Sequence, residues 1–490
     1  MYYFYNNFFT KIQSDQKKVK YREQNIEWPL NLNDLFVSEK TLETHTLPIK
    51  IKTYDLNLLD IKKIPRGGIC AINKKVFFFY NNKFYLLNEN NLYKINIKFL
   101  SQKNIVTSLA CTKDKKDNIV FFINTTEPTD KKKFSNKIIK GEIIQDKISN
   151  YEILVDFQTS TQNYAGKITL LNQEKLFLSF SSPYDLDDPE NNKKTAFSHP
   201  SQDRLDIRGK IMLIDINSKK SEIFSLGHRN PQGLFLDNEK NLFSTEHGPY
   251  GGDELNLILS NKNYGWPVTS NGTSNKSYNS FYGKLGRHSS SFQKPIYSWT
   301  PGLGISDLLK LKNFDESWNG DLIITSLKNK SIYRVRLNNI NNNYIVKYIE
   351  TIFIGDRIRF IQETQNKKIY LITDGAKFIE ISKVKKEKNK YIDVRGNVCL
   401  NCHHLGITNE THSAPSLVGI FNRKAGTDPN FQYSKAFDNI DFRWNKTNMI
   451  DYLLDPQKFL PGTTKSFKLK DSKDGIKLID ELSKIKITSK

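Results

Sequence analysis

The chain has 490 residues and a formal charge of +22, with 38% hydrophobic and 12% aromatic residues. That is enough apolar material for a sizeable core and more than one domain, and it excludes a disordered chain. No stretch reaches the ~18 apolar residues that span a bilayer, so no transmembrane segment is expected, and four cysteines are too few for a disulfide-rich scaffold.

Lysines are interleaved with Asn and Ile along most of the chain. The charge therefore reads as a solvated basic surface, and no nucleic-acid-binding motif accompanies it. Residues 1–35 form an N-terminal segment. It opens "MYYFYNNFFTKIQSDQKKVK", aromatic but broken by Asn, and lacks the basic start and small-residue cleavage site of a secretory leader.

From Phe36 to Ser382 the text is short strands. "KKVFFFYNNKFYLLN" reads as two strands around an Asn-Asn turn. "EKLFLSFSS", "RGKIMLIDI", "NGDLIITSLKNKSIYRVRL" and "KKIYLITDGAKFIEI" repeat the pattern, apolar runs bounded by Gly, Asn, Asp or Lys. Roughly 350 such residues suggest radial repetition, about six four-stranded blades of ~50–60 residues each. The expected fold is an all-β six-bladed propeller over residues 36–382. Cys70 and Cys111 stand alone within it, their pairing open.

Residues 383–397 are charged and apolar-poor and read as a linker. Beyond it the period changes. In "TNMIDYLLDPQKFL", Met449, Tyr452 and Leu453 have helical spacing that stops near Pro456. In "DGIKLIDELSKI", Ile476, Ile479 and Leu482 share one face. Residues 398–490 are expected to form a small all-α domain.

That domain opens "VCLNCHHLG". Two thiols in C-x-x-C-H can add to the vinyl groups of one haem, and the next histidine then lies beneath the iron. A redox pair would want a βαβ context, and a structural zinc a second ligand pair; the sequence has neither. The stretch from Cys399 through "APSLVGIFNRKAGTDPNFQYSKAF" to "FLPGT" resembles a class I cytochrome c. The resemblance implies haem c on Cys399 and Cys402, His403 as proximal ligand, and the Pro415 carbonyl orienting it. It also implies propionate contacts from Arg423, Tyr433 and Trp444. Where the family has its distal Met, "PGTTKSF" has Lys465. Met449 belongs to a helix face, which leaves Lys465, His404, His412 or no protein group as sixth ligand.

In the first part, Gly227–Pro267 reads "GHRNPQGLFLDNEKNLFSTEHGPYGGDELNLILSNKNYGWP". It resembles the soluble pyrroloquinoline quinone (PQQ) dependent sugar dehydrogenases, also called glucose/sorbosone dehydrogenases, with the likeness covering most of Asn163–Ile381. A flat tricarboxylate quinone calls for cations, polar groups at its oxygens and a hard metal. The resemblance implies PQQ contacts from Arg229, Asn230, Gln232, Lys328, Arg357 and Arg359. It implies Ca²⁺ on the carbonyls of Gly248 and Pro249, with Asp253 and Glu254 nearby. Arg357 and Arg359 are two apart, which puts both on one side of a strand.

The family's catalytic base is a His three residues before Gly-Arg; here "QNYAGKITL" puts Asn163 in its place and Gly166-Lys167 in the pair. An amide accepts no proton at neutral pH, and losing a general base typically costs 10²–10⁴ in rate. His247 in "STEHGP" is the substitute candidate. The expectation is a quinohaemoprotein dehydrogenase that oxidises an aldose or alcohol and passes electrons through haem c to a downstream acceptor. The alternative is a catalytically degenerate propeller kept as a binding or electron-transfer protein. Both cofactors imply a periplasmic location for the families resembled.

Overall fold

"VFFFY" explains the architecture. Strands Lys75–Tyr80 and Lys83–Asn88 pair with Tyr80 opposite Lys83, and Asn82 holds a φ of 59° at the turn, a conformation Asn tolerates. Side chains alternate across a strand. Phe78, Tyr80, Tyr85 and Leu87 enter one core with Phe360, Tyr370 and Phe378. Phe77, Phe79, Phe84 and Leu86 enter another with Leu109, Phe121 and Ile123. A sheet buried on both faces needs an unbroken apolar run and a neighbouring sheet on each side.

The computed structural model describes residues 28–59, 67–80, 82–101, 103–129, 133–182, 196–273, 290–341, 343–384, 403, 414–429, 431–463, 469, 476 and 479–480. The chain divides into two compact units. One comprises Met1–Ser38, Lys52–Leu311 and Asp321–Glu380; the other comprises Glu39–Ile51, Lys312–Gly320 and Ile381–Lys490.

Six sheets form the six expected blades. In blade 1 the strands run outward from Gly67–Ile72 to Asn91–Ile95, and Leu30–Asn31 adds at the outer edge. Blades 2 to 5 each have four strands in sequence order, the innermost being Ile105–Lys113, Ile168–Leu170, Pro231–Leu236 and Ile305–Lys310. Blade 6 starts at Ile358–Thr364 and is completed on its outer side by Ile49–Asp55 and Phe36–Leu42, so strands from both ends of the propeller sequence build one sheet. Each inner strand packs against the next, and that of blade 6 against that of blade 1, closing the ring. Closure removes the open sheet faces that a fan of strands would leave.

Cys70 and Cys111 form a disulfide, with Cα atoms 5.9 Å apart, between the inner strands of blades 1 and 2.

In the C-terminal unit, α1 (Lys446–Leu454) carries a capping box between Asn445 and Asn448, and buries Met449, Tyr452 and Leu453 as the spacing predicts. They pack with Ile420, Trp444 and Leu460. Pro456 does more than stop the period. It opens α2 (Pro456–Phe459), where a missing N–H costs nothing, and Asp455 caps that turn. Ile479 is buried but Ile476 is 50% exposed, so the two do not share a buried face as expected. Leu482 and most of residues 383–397 lie outside the described residues.

Candidate active site

A cavity of about 230 Å³ opens where the inner strands begin. Five blades line it. Blade 2 gives Thr107, the turn before blade 3 gives Tyr164 and Ala165, and blade 4 gives Asn230, Gln232 and His247. Blade 5 gives Ser306 and Leu327, and blade 6 gives Arg359 and Phe360. Of the residues expected to bind the quinone, Asn230, Gln232 and Arg359 are therefore on its wall, with His247 beside them.

The polar groups are held in place. The Gln232 amide donates to the Tyr164 carbonyl at 3.0 Å and to Asn230 Oδ1 at 2.7 Å. Arg359 donates to both oxygens of Asp374 at 2.5 and 2.8 Å, and Arg357 Nε donates to the same carboxylate at 3.1 Å. The two arginines do share one side, and Asp374 gathers them. Arg229 and Lys328 are not among the lining residues. The Arg229 guanidinium lies over the Trp266 ring at 5.2 Å and donates to the His247 carbonyl at 3.3 Å. Lys328 Nζ donates to the Gly302 carbonyl at 3.2 Å.

His247 Nε2 bonds to the Ile305 carbonyl. A carbonyl only accepts, so Nε2 carries the proton and Nδ1 is the bare nitrogen. Burial, with Arg229 adding, pushes this imidazole below its ordinary range, against an opposing pull from Asp253.

Gly248 is tightly seated: a Cβ there would stand 2.0 Å from the Gly251 carbonyl oxygen. Its N–H donates to Asp253 Oδ1 at 3.1 Å, while Asp253 Oδ2 accepts from Gly304 N at 2.6 Å and Ile305 N at 3.2 Å. Asp253 is thus a clamp between two loops. Glu254 accepts from Asn256 and Asn271. Backbone carbonyls such as those of Gly248 and Pro249 are the kind of hard oxygen Ca²⁺ takes; among the described residues no three His, Cys, Asp or Glu side chains converge on a metal position.

Asn163 lies beside the cavity and is 2% exposed. Its amide donates to the Ser179 carbonyl at 3.1 Å, and Oδ1 accepts from Ala165 N, Ser181 N and Ser181 Oγ at 3.2, 3.0 and 3.2 Å. This is a pin that folds the 163–167 turn onto blade 3. Lys167 makes a buried ion pair with Asp307 at 2.6 Å, bridging blades 3 and 5.

Thr107, Tyr164, Ser306, Phe360 and Asp374 are not among the residues to which the motifs above point. Tyr164 and Phe360 adjoin Asn163 and Arg359, and that adjacency was the available signal. Asp374 meets its arginines only through the fold.

In the C-terminal unit, His403 Nδ1 donates to the Pro415 carbonyl at 2.6 Å. That bond puts the proton on Nδ1 and fixes the orientation of the ring. Ser416 N donates to Asp428 Oδ2 at 2.6 Å, and Arg423 donates to the carbonyls of Ser416 and Val418. The Tyr433 hydroxyl accepts from Asp428 N at 3.3 Å. Trp444 is buried against Phe442, Tyr452 and Phe459. Cys399, Cys402, His404, His412 and Lys465 lie outside the described residues.

These features define a six-bladed propeller with a polar, cation-bearing axial cavity, followed by a segment with a carbonyl-oriented histidine. The chain belongs to the glucose/sorbosone dehydrogenase family, whose description matches residues 104–380. The match starts well before Asn163, where the resemblance was first legible. Aldose sugar dehydrogenase YliI of Escherichia coli is 27% identical over 234 residues, 44% of this chain and 59% of that protein. The chain thus spans about three fifths of that relative's length. Cytochrome c type-1 of Ascaris suum is 39% identical over 87 residues, 17% of this chain and 77% of that protein. The solved PQQ-bound form of an aldose sugar dehydrogenase from Streptomyces coelicolor shares the fold, with TM-score 0.50 and 17% identity over 70% of this chain and 98% of that one.

Proposed function

We propose that the chain is a quinohaemoprotein dehydrogenase: an aldose or alcohol is oxidised in the propeller cavity, and the electrons leave through haem c to a downstream acceptor. The observation that carries this reading is the convergence of Asn230, Gln232, His247 and Arg359 on one axial cavity in a chain that also holds the His403–Pro415 pair.

The donor set suits a planar tricarboxylate quinone. Arg359, with Arg357 joined to it through Asp374, and Arg229 and Lys328 would meet its carboxylates, and the Asn230 and Gln232 amides its ring oxygens. The Gly248 and Pro249 carbonyls would hold Ca²⁺. When bound, PQQ with Ca²⁺ supplies the two-electron acceptor for a substrate C–H bond. His247 offers Nδ1 as the atom that takes the hydroxyl proton, since Asn163 has no basic atom and is engaged in backbone bonds. Cys399 and Cys402 would carry the haem, and His403 would ligate its iron. The Cys70–Cys111 disulfide favours an oxidising compartment, in keeping with a periplasmic location.

A dye-linked assay of purified protein against aldoses and primary alcohols tests the reading. Turnover is expected only with PQQ and Ca²⁺, and Arg359→Ala should raise the PQQ concentration needed at least ~10-fold, the worth of one charge-assisted contact. PQQ that binds without any substrate being oxidised would leave the second reading, a binding or electron-transfer protein, which the engaged amide of Asn163 favours.

A further inference from the structure

We propose that a buried chain of three side chains, Ser225, His228 and Glu246, positions Arg229 and Asn230 for the quinone; the inference rests on the cofactor reading above. His228 and Ser225 are both 0% exposed. His228 Nδ1 is 3.0 Å from Glu246 Oε2, Nε2 is 2.8 Å from Ser225 Oγ, and the ring stacks on Tyr264 with centroids 4.6 Å apart. The other Glu246 oxygen, Oε1, accepts from the backbone N–H of Arg229 and, at 3.3 Å, from that of Asn230.

Donor and acceptor roles follow from these contacts. Glu246 already receives two backbone N–H groups, so it acts as an acceptor throughout. His228 Nδ1 is then the donor to Oε2, and Nε2 pairs with the Ser225 hydroxyl. One ring orientation satisfies every group.

The same residue types make a hydrolytic triad elsewhere. Here the hydroxyl and imidazole are sealed from solvent and no substrate carbonyl can reach them. What the chain touches instead is the peptide backbone of the residues beside the cavity. Their carbonyls are held as well: Arg229 O accepts from Ser182 N at 2.7 Å, and Asn230 O accepts from His247 N at 3.1 Å. Both residues therefore have N–H and C=O engaged, and the peptide that joins them is held on both edges. Arg229 hangs from one end of this short stretch over Trp266, and Asn230 enters the cavity from the other. Preorganised groups bind a rigid ligand without a further ordering cost. Glu246, His228 and Ser225 are positioning residues, since none lines the cavity.

The test is a titration of the full-length purified protein with PQQ and Ca²⁺, followed by tryptophan fluorescence in the absence of substrate. Glu246→Gln puts an N–H where an acceptor is required, and His228→Ala removes the donor to Oε2. Each should weaken PQQ binding at least ~10-fold, the order of a lost buried charge-assisted bond. His228→Asn, which keeps an N–H directed at Glu246, should recover most of the affinity; a merely space-filling role for the ring would not distinguish Asn from Ala this way. Ser225→Ala, a small change that preserves the fold, should give a roughly threefold loss, the size of one neutral hydrogen bond. If the wild type binds PQQ and the folded variants, Ser225→Ala included, bind it equally well, the positioning role is overturned and the cofactor reading stands. If the wild type binds no PQQ, both fall.

Discussion

Asn163 stands where the family resembled has a histidine, and His247 lies on the cavity wall. The letters showed an amide where a base was expected. They did not show that this amide holds Ser179, Ser181 and Ala165 in place, because those partners come from across a turn and an adjoining strand. A second buried histidine has a measurable consequence. His199 is 6% exposed, with Nδ1 2.8 Å from Ser201 Oγ. Burial first, then Arg208 and Lys210, lowers its pKa from 6.5 to about 4. The folded chain keeps it neutral while the unfolded chain protonates it near 6.5. Stability is therefore untouched above that pH and falls as pH drops from 6.5 towards 4. Urea unfolding should show a smaller stability loss between pH 7 and pH 5 in His199→Gln than in the wild type. Equal losses would mean that His199 titrates alike in both states.

At the scale of elements, the strand runs were legible because a blade is buried on both faces. "VFFFY" and "LIITS" carry that in their letters, and the Asn-Asn turn carried the hairpin. What was not legible is long-range. Nothing local says that Phe36–Leu42 and Ile49–Asp55 complete the last blade, or that Cys70 meets Cys111 across 41 residues. The cytochrome-like helix followed its period up to Pro456, whose second role as the start of α2 depends on Asp455 as cap. The disulfide joins neighbouring inner strands, so it restrains the unfolded chain by closing a long loop. Replacing both cysteines with serine should lower stability by about 2–4 kcal/mol, read as a lower denaturant midpoint with a larger m-value, because the freed unfolded chain exposes more surface. A midpoint equal to the wild type's would mean that the bond adds no net constraint.

For the whole molecule, the C-x-x-C-H motif and the "GHRNPQG" stretch were both visible as letters, and each pointed to a redox cofactor. The fold adds the convergence. Residues 230, 232 and 247 come from one stretch of the chain and 359 from a distant one, and all share one cavity. The order of the chain, dehydrogenase family part first and cytochrome-like part after, suits intramolecular electron transfer, for which a tether replaces diffusion with a high effective concentration. The most direct test is anaerobic. Purified protein with oxidised haem is loaded with PQQ and Ca²⁺, then mixed with an aldose or alcohol while haem absorbance is followed. Reduction of the haem is expected at a rate independent of protein concentration, and none without PQQ. A haem that stays oxidised with PQQ demonstrably bound and every aldose and alcohol tried would contradict the proposed function.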